Sequence, residues 1–320
     1  MHQLLEKIFL PAFDNKLLQV QHDSSVFDSP SGRLAFTTDS YVVQPLFFPG
    51  GNIGELAVNG TVNDLAMGGA TPMFLSTAFI IEEGFSMDLL QKIVGSLGRA
   101  ADACGVQVVT GDTKVVDKGS GDGVFINTTG LGLVPDGIVL SANQARPGDA
   151  VVLSGSIGEH GIAILAEREG LEFDSPIESD SAPLHTLVAE MLRVARGIRV
   201  LRDPTRGGVS SSLNEIAGQS RVGIRIEETA IPIREEVRGA CEMLGLDPLY
   251  VANEGKLLAI VDPAEAEILV EAMRRNPLGR NAVRIGTVTE SDPGWVSIRT
   301  VFGTSRIVDM LAGDQLPRIC

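Results

Sequence analysis

Acidic side chains recur along the chain in short motifs of small and polar residues, near the predicted ends of strands and helices. The motifs HDSS, TTDS, NDLA, GDTK and LRDPTRGG contain, in that order, Asp23, Asp39, Asp64, Asp112 and Asp203. Strand ends at one rim of a sheet converge in space, so these carboxylates could share one pocket. Clustered carboxylates repel one another unless cations neutralise them, and hard oxygen ligands suit Mg²⁺ that bridges phosphates. Taken singly, each Asp is more typical of a turn or a helix cap.

Glycine-rich turns accompany these acids in the stretches PGGNIGE, MGGA, TGDT and TRGGV. The last of them precedes the predicted helix VSSSLNEIAG, whose free N–H groups and dipole favour an anion. The chain contains neither a P-loop, GxxxxGK followed by Ser or Thr, nor a GxGxxG fingerprint at the start of a βαβ unit. Lys114 in GDTK could act as a point charge for phosphate, or it could be a solvated surface lysine.

A possible general base lies in VANEGK, where Asn253 and Glu254 precede the predicted strand LLAIVD. Asn before Gly is typical of an ordinary turn with a positive φ. In a partly buried pocket, however, Glu254 would have a raised pKa and could act as a base. His160 lies in GEHG, a loop bracketed by glycines, and the four histidines have no HxxxH spacing, so a zinc site has little support.

The chain ends in LPRIC, so its last residue, Cys320, is a thiol. Sulfur is intrinsically nucleophilic even at an ordinary pKa. Residues 311–320, extended, span roughly 33 Å, so such a tail could enter a pocket and leave it again. Cys104 and Cys241 fall in helical patterns among apolar neighbours and are predicted to be inert core residues. Without a CxxC pair, the cysteines indicate a reducing compartment rather than a disulfide framework.

Composition excludes some classes of function. The chain has 320 residues, of which 44% are hydrophobic, which is enough for a buried core and for two domains. Its formal charge of -15 at pH 7 would repel nucleic acid, although a nucleoside triphosphate could bind through divalent cations. No apolar run approaches the roughly 20 residues of a membrane span, so we expect a cytoplasmic protein without a membrane partner.

Periodicity predicts the elements that position these residues. A helix over NIGELAVNGTVNDLAMGG places Asn59 and Asn63 on one polar face, with Asp64 beside it. A second helix begins after Ser86. Strands and helices alternate to about Val134, SANQARPGD reads as a linker, and the alternation then resumes, with three short strands around Trp295 and Val308. We therefore predict an α/β (α+β) protein with domains at 1–140 and 141–310 and a flexible tail at 311–320.

Together the motifs identify a family. TTDS, NDLAM, GDTK, RDPTRGG and NEGK, in this order and ahead of a terminal PRIC, closely resemble the aminoimidazole ribonucleotide synthetase-like ATPases, and within them the carbamoyl dehydratases of hydrogenase maturation. The resemblance covers essentially the whole chain. It implies two domains, each a mixed sheet with helices packed on it, N-terminal domains that pair in a homodimer, and ATP with Mg²⁺ bound between the dimer's sheet and the loops.

The resemblance also implies a reaction. A carbamoyl group supplied by the carbamoyltransferase HypF would be carried on Cys320 as a thiocarboxamide and dehydrated, at the expense of ATP, to a thiocyanate. The cyano group would then pass to iron on the HypC–HypD complex, for the active site of nickel–iron hydrogenase.

Residue roles follow from the same resemblance. Metal ligands would be the five acids of the first paragraph, and ATP would also contact Asn63 and Thr113. Glu254 would be the base, with Lys114 beside the thiocarboxamide and Asn253 positioning it. This sequence has HDSS where the family has paired Asp, and MHQLLEK where a glycine-rich segment usually precedes the first helix.

Two alternatives stay open from the sequence. One is a small-molecule kinase or synthetase of the same architecture, such as thiamine monophosphate kinase or selenophosphate synthetase, which would not need a terminal thiol. The other is a non-catalytic docking protein whose tail binds iron or a partner.

Overall fold

The structure is a computed structural model that describes residues 4–20, 24–28, 30–171, 173 and 176–313. It begins with a π-helical turn, Leu5–Phe9, followed by a helical turn, Leu10–Ala12. The predicted first helix is therefore short, but it continues one residue past Pro11, which was expected to end it. Within the described ranges, no helix is both long and apolar enough to cross a membrane.

The first sheet has four strands in the order β1-β6-β4-β5. Only the pair of β4 and β5 is parallel, so the sheet is mixed. Its strands are β1 (Arg33–Tyr41), β4 (Thr71–Glu82), β5 (Gln107–Val116) and β6 (Val124–Val134), and a short hairpin is formed by β2 (Phe47–Phe48) and β3 (Gly51–Asn52). The strands β1 and β5 thus lie at opposite edges of this sheet.

Two helices cover one face of the first sheet. Helix α1 (Ile53–Met67) is capped by Asn52, whose side chain accepts from the N–H groups of Gly54 and Glu55. Helix α2 (Met87–Cys104) starts at the predicted cap, Ser86, and ends at Gly105, which has φ +68°. Glycine suits this left-handed position because it has no Cβ to clash with the carbonyl.

The other face of the first sheet is left open by the single chain. Phe36 on β1 is 73% exposed, and Leu34 and Ile80 are also exposed. Large apolar side chains clustered on an uncovered sheet face are typical of an interaction surface.

The second sheet has seven strands in the order β13-β12-β9-β11-β7-β10-β8. Its strands are β7 (Ala150–Leu153), β8 (Ile198–Arg202), β9 (Gly223–Glu227), β10 (Leu258–Val261), β11 (Val283–Thr289), β12 (Val296–Arg299) and β13 (Ser305–Ile307). The remaining helices are α3 (Glu159–Glu169), α4 (His185–Val194), α5 (Gly208–Ser220), α6 (Glu235–Leu244) and α7 (Ala266–Arg275). Helices α4 and α7 pack on one face of the central strands, and α5 packs on the other.

Three local predictions differ from the structure. The GDTK motif is not a loop after a strand, because β5 continues through it to Val116. His160 does not lie in a loop, because α3 begins one residue earlier at Glu159. Between Trp295 and Val308 the chain forms two strands, β12 and β13, and not three. In the first two cases glycine was taken as a break, although an extended edge strand and a helix N-terminus both accept it.

The crossing of α1 and α2 yields a stability prediction. A Cβ added to Gly54 would lie 2.3 Å from the carbonyl oxygen of Ile93, so Gly54→Ala must force the helices apart. We expect a loss of about 1–3 kcal/mol in the free energy of unfolding, measured by urea denaturation. The control is Gly95→Ala on α2, whose Cβ would meet only the Arg99 side chain at 3.4 Å and which should not be destabilising. Equal midpoints for the two variants would contradict the close crossing.

Candidate functional site

Helix α1 presents a buried amide face to the second half of the chain. The side chain of Asn63 donates from Nδ2 to the carbonyl oxygens of Ala182 (3.0 Å) and Glu254 (3.1 Å). Its Oδ1 accepts from the N–H of Leu184 at 2.7 Å. One turn earlier, Asn59 donates to Ser181 Oγ at 3.1 Å. The predicted polar face of α1 is therefore confirmed, and in this chain it contacts protein.

The carboxylate of Asp64 lies where α1 meets β1. Thr37 donates from Oγ1 to Asp64 Oδ2 at 2.7 Å. Burial raises the pKa of Asp64, the bond from Thr37 partly opposes that rise, and the negative charge of Asp39 adds to it. Asp39 itself is exposed on β1, and its Oδ1 accepts from the N–H of Ser40 at 2.8 Å.

Asp203 follows β8 directly and is buried. Burial raises the pKa of Asp203 to about 7, and the neighbouring charge of Asp64 is the next largest cause. The two glycines that follow in TRGG, Gly207 and Gly208, have φ values of +72° and +60° and turn the chain into α5. Among the predicted acids, the charge of Asp39 therefore raises the pKa of Asp64 and of Asp203, and the charge of Asp64 raises that of Asp203.

Glu254 joins this group from the second sheet. It is buried, and its Oε1 has no hydrogen-bond partner among the residues that the structure describes. Burial raises its pKa well above the ordinary value, and the charges of Asp203 and Asp180 raise it further. A buried carboxyl with an unsatisfied oxygen and a raised pKa is typical of a catalytic acid or base.

The side chain of Asn253 connects its own loop with the loops of Gly158 and Pro204, next to Glu254. Its Oδ1 accepts from the N–H of Gly158 at 2.7 Å, and its Nδ2 donates to the carbonyl oxygens of Pro204 (3.1 Å) and Val251 (3.0 Å). Asn253 is fully buried and does not have a positive φ, so the reading of NEGK as an ordinary turn is wrong.

Residues 176–184, the bridging segment, were missed in the sequence. Asp180 accepts from the N–H of Glu254 through Oδ1 and from Lys256 Nζ through Oδ2, both at 3.0 Å. Burial alone would raise the pKa of Asp180, but the Lys256 ammonium and the N–H of Glu254 outweigh it and hold that pKa below its usual value. Ser179 Oγ lies 2.7 Å from Nδ1 of His160. The only sequence signal was an acid between two prolines, PIESDSAP.

Asp112 and Lys114 lie apart from this group. They form an exposed ion pair of 2.9 Å on β5, and Lys114 lowers the pKa of Asp112. Because β1 and β5 are three strand spacings apart, Asp112 is separated from Asp39 by roughly 14 Å. Asp112 and Thr113 line a cavity of about 350 Å³, together with Thr77, Phe79 and the N-terminal helical turns. One chain therefore does not bring all the predicted site residues together.

The carboxylate oxygens of the acids suit Mg²⁺, but one chain does not bring enough of them together to enclose an ion. Hard carboxylate oxygens are the ligands that Mg²⁺ prefers. Across the described ranges, however, no three His, Cys, Asp or Glu side chains are close enough to enclose an ion. Remaining ligands would have to come from a nucleotide, from water or from a second chain. Asp23 lies outside the described residues.

The start of the C-terminal tail is bound next to the Asp203 loop. Asn214 donates to the carbonyl oxygen of Val308 at 2.8 Å, and Ser210 donates to that of Asp309 at 2.5 Å. The N–H of Leu311 donates to Ser211 Oγ at 3.4 Å. These three side chains lie in the first half of α5, directly after TRGG. Cys320 lies outside the described residues.

The two internal cysteines are core residues, as predicted. Both are buried and unpaired. Burial raises the pKa of Cys104 to about 12 and that of Cys241 to about 11. Neither thiol is a nucleophile at neutral pH.

Comparisons with known proteins agree along the whole chain. Residues 21–134 match the N-terminal domain, and residues 146–297 the C-terminal domain, of AIR synthase related proteins. The carbamoyl dehydratase HypE of Cupriavidus necator is 58% identical over 319 residues, which are 99% of this chain and 91% of that protein. The HypE of Escherichia coli K12 is 45% identical and covers 100% of this chain and 96% of its own.

Solved structures give the same result. A crystal structure of HypE in complex with ATP has a TM-score of 0.96 at 50% identity and covers 100% of this chain and 96% of its own. The HypE–HypF complex has a TM-score of 0.85, also at 50% identity, with coverages of 96% and 99%. Thiamine monophosphate kinase of Aquifex aeolicus has a TM-score of 0.63 at 19% identity, with coverages of 88% and 91%, and shares the fold.

The raised pKa of Asp203 predicts a pH-dependent gain in stability for Asp203→Asn. In the unfolded chain Asp203 ionises near its model value of 3.8, and in the folded chain at about 7, so rising pH between these values destabilises the wild type. The stability difference in favour of Asp203→Asn should therefore grow from pH 4 to pH 7 and then level off. Urea denaturation without nucleotide or divalent cations measures it.

Asp112→Asn is the control, because its pKa is lowered and its trend should have the opposite sign and a small size. A stability difference for Asp203→Asn that does not change between pH 4 and pH 7 would contradict the raised pKa of Asp203.

Proposed function

Because this chain belongs to the AIR synthase related proteins and, among them, to the HypE carbamoyl dehydratases of hydrogenase maturation, we propose that it dehydrates a carbamoyl group on its own terminal cysteine. The thiocarboxamide on Cys320 would become a thiocyanate at the expense of ATP. The observation that carries this proposal is Glu254, a buried carboxyl with a free oxygen, in an acidic site beside the bound start of the tail.

The tail would deliver the substrate. Residues 311–320 span up to roughly 33 Å, and Leu311 is held against α5 next to the Asp203 loop. Cys320 is therefore within reach of the carboxylates of its own chain. A thiol can take the carbamoyl group from an activated donor without a dedicated base.

Dehydration needs a better leaving group than hydroxide. The carbamoyl oxygen would attack the γ-phosphorus of ATP, ADP would leave, and the nitrogen would lose its first proton. Phosphate would then depart with the electrons of the C–O bond while the nitrogen loses its second proton, which leaves S–C≡N. Asp39, Asp64 and Asp203 would each offer carboxylate oxygens to Mg²⁺ ions that take their other ligands from the phosphates, from water or from a second chain, and this cation charge would offset that of the phosphoryl group.

Glu254 would accept a proton from the nitrogen. Burial and the neighbouring charges raise the pKa of Glu254 and so favour its neutral form over the ionised form that a base requires. Asp203 and Asp64 are two of the charges that raise its pKa, and their neutralisation by a cation would favour that ionisation. Its Oε1 is buried without a hydrogen-bond partner among the described residues, and Asn253 fixes the loop that carries it.

A homodimer would complete the site. The uncovered face of the first sheet, with Phe36 and Ile80, supports pairing of two such sheets. Asp112, Thr113 and Lys114 on the β5 edge would then serve the nucleotide together with carboxylates from the second copy. In that arrangement Lys114 would exchange Asp112 for a phosphate oxygen.

Partners follow from the relatives. The HypE–HypF crystal structure contains a chain that is 50% identical to this one, which supports HypF as the carbamoyl donor. Transfer of the cyano group to the HypC–HypD complex follows from the family resemblance. The unpaired internal cysteines support a reducing, cytoplasmic setting.

Replacement of the terminal thiol tests the carrier role. Cys320→Ala should abolish cargo formation and leave ATP binding nearly unchanged, because the carboxylates are intact. Mass spectrometry of the C-terminal peptide after incubation with HypF, carbamoyl phosphate and ATP is the measurement, with Cys104→Ala as a control that keeps the modification. Loss of ATP binding in Cys320→Ala would contradict this division of roles.

Replacement of Glu254 tests the base. Glu254→Gln should accumulate the thiocarboxamide and lower the rate of thiocyanate formation by on the order of 10²–10⁴, the usual effect of a general base. Glu159→Gln is a matched control, since Glu159 is also buried with an unpartnered oxygen and has no role in the proposed reaction. A normal rate in Glu254→Gln would show that another group is the base.

A further inference from the structure

The carboxylate of Asp180 binds both the main chain of Glu254 and the side chain of Lys256. Asp180 Oδ1 accepts from the N–H of Glu254 at 3.0 Å, and Asp180 Oδ2 is 3.0 Å from Nζ of Lys256. The side chains of Asp180 and Lys256 are only 4% and 13% exposed. Asp180 therefore contacts the main chain at Glu254 and the side chain two residues later.

Gly255, between Glu254 and Lys256, lies directly against the backbone of Asp180. A Cβ added to Gly255 would lie 1.8 Å from the carbonyl oxygen of Asp180, which no real side chain permits. Glycine at this position allows the bridging segment to pass directly against the loop that leads into β10. The stem of Lys256 also passes close to Gly155, where an added Cβ would lie 3.2 Å from Lys256 Cε.

The other end of the bridging segment is fixed to the first half of the chain. The N–H of Ser179 donates to the carbonyl oxygen of Pro49 at 2.8 Å. Ser181 and Ala182 accept from the amides of Asn59 and Asn63 on α1, as described above. Asp180 thus connects Glu254 to the helix that carries Asp64.

The charges around Asp180 favour its ionised form, which accepts the hydrogen bond from the N–H of Glu254. Lys256 and His160 face it with positive or ionisable groups, and the charge of Asp180 in turn raises the pKa of Glu254. The pKa of Asp180 stays below its usual value in spite of burial, chiefly because of Lys256. An ionised carboxylate is a stronger acceptor for an N–H group than a neutral one.

We propose that Asp180 is the positioning residue for Glu254, and that Lys256 holds Asp180 in the required orientation. This inference rests on the proposed role of Glu254 as the base. Asp180 acts through the main chain of Glu254 and fixes the distance between the carboxyl group and the nitrogen of the substrate. A misplacement of about 1 Å in such a contact can lower a rate by on the order of 10²-fold.

The test compares two neutral replacements of the ion pair in the full-length protein. In Asp180→Asn with Lys256→Gln, the Asn oxygen can still accept from Glu254, and its amide can donate to Gln. In Asp180→Ala with Lys256→Gln, the acceptor is absent. Both doubles lose the same charges, so they differ in the contact to Glu254. Asp149→Asn is the control, because Asp149 is a 3% exposed partner of Arg199 at 3.0 Å in the same half of the chain.

Single-turnover formation of thiocyanate on Cys320, ATP affinity and the thermal midpoint are measured for each variant. We expect the Asn–Gln double to stay within about 3-fold of the wild-type rate, and the Ala–Gln double to fall by at least roughly 10-fold with accumulated thiocarboxamide. ATP affinity should be the same in both doubles. Asp149→Asn should lower the thermal midpoint without a matching loss of rate.

Equal rates for the two doubles would overturn the inference, as would a loss of rate that follows the thermal midpoint across all variants. Glu254→Gln is measured in the same series. If it keeps the wild-type rate, the proposed role of Glu254 fails, and the inference with it. If Glu254→Gln is slow and the Ala–Gln double is not, the positioning inference alone fails.

Discussion

Carboxyl groups with raised pKa values lie between the two sheets, and much of the local structure serves to hold them there. Burial raises the pKa of Asp64, Asp203 and Glu254; the charge of Asp64 raises the pKa of Asp203 further, and the charges of both raise that of Glu254. Such repulsion would open the site if its walls were mobile. The amide face of α1, the bridging segment and Asn253 supply hydrogen bonds that keep these walls together. A cation bound at this site would offset these charges and lower the raised pKa values.

Much of this architecture could be predicted from local sequence. Helices α1 and α2 were predictable because their caps, Asn52 and Ser86, and their apolar spacing agree. Asp203 and the proposed base Glu254 could be found because each lies beside a proline or a glycine near the end of an element, whereas Asp39 and Asp64 lie inside β1 and α1 and stood out by their polar motifs. How close these residues lie to one another depends on the order of the strands in the sheets, and local periodicity does not reveal that order.

Other features depend on contacts between distant residues. The pair of Asp180 and Lys256 joins positions 76 residues apart, and the bond from Asn63 to Glu254 joins positions 191 apart. No local pattern indicates such pairs. The GDTK motif was misplaced for a related reason: glycine and aspartate are typical of loops, but β4 supplies a parallel partner that extends β5 through them. The position of that strand at the sheet edge also explains why Asp112 is separated from Asp39.

The hydrogen bonds from α5 attach residues 308–311 beside the loop that follows Asp203. A short chain attached at one point keeps its free end at an effective concentration in the millimolar range near that point, whatever the dilution of the protein. Under the proposed function, a group carried on Cys320 would therefore meet the acidic site of its own chain before it met other molecules, and free cellular thiols would compete poorly for that site.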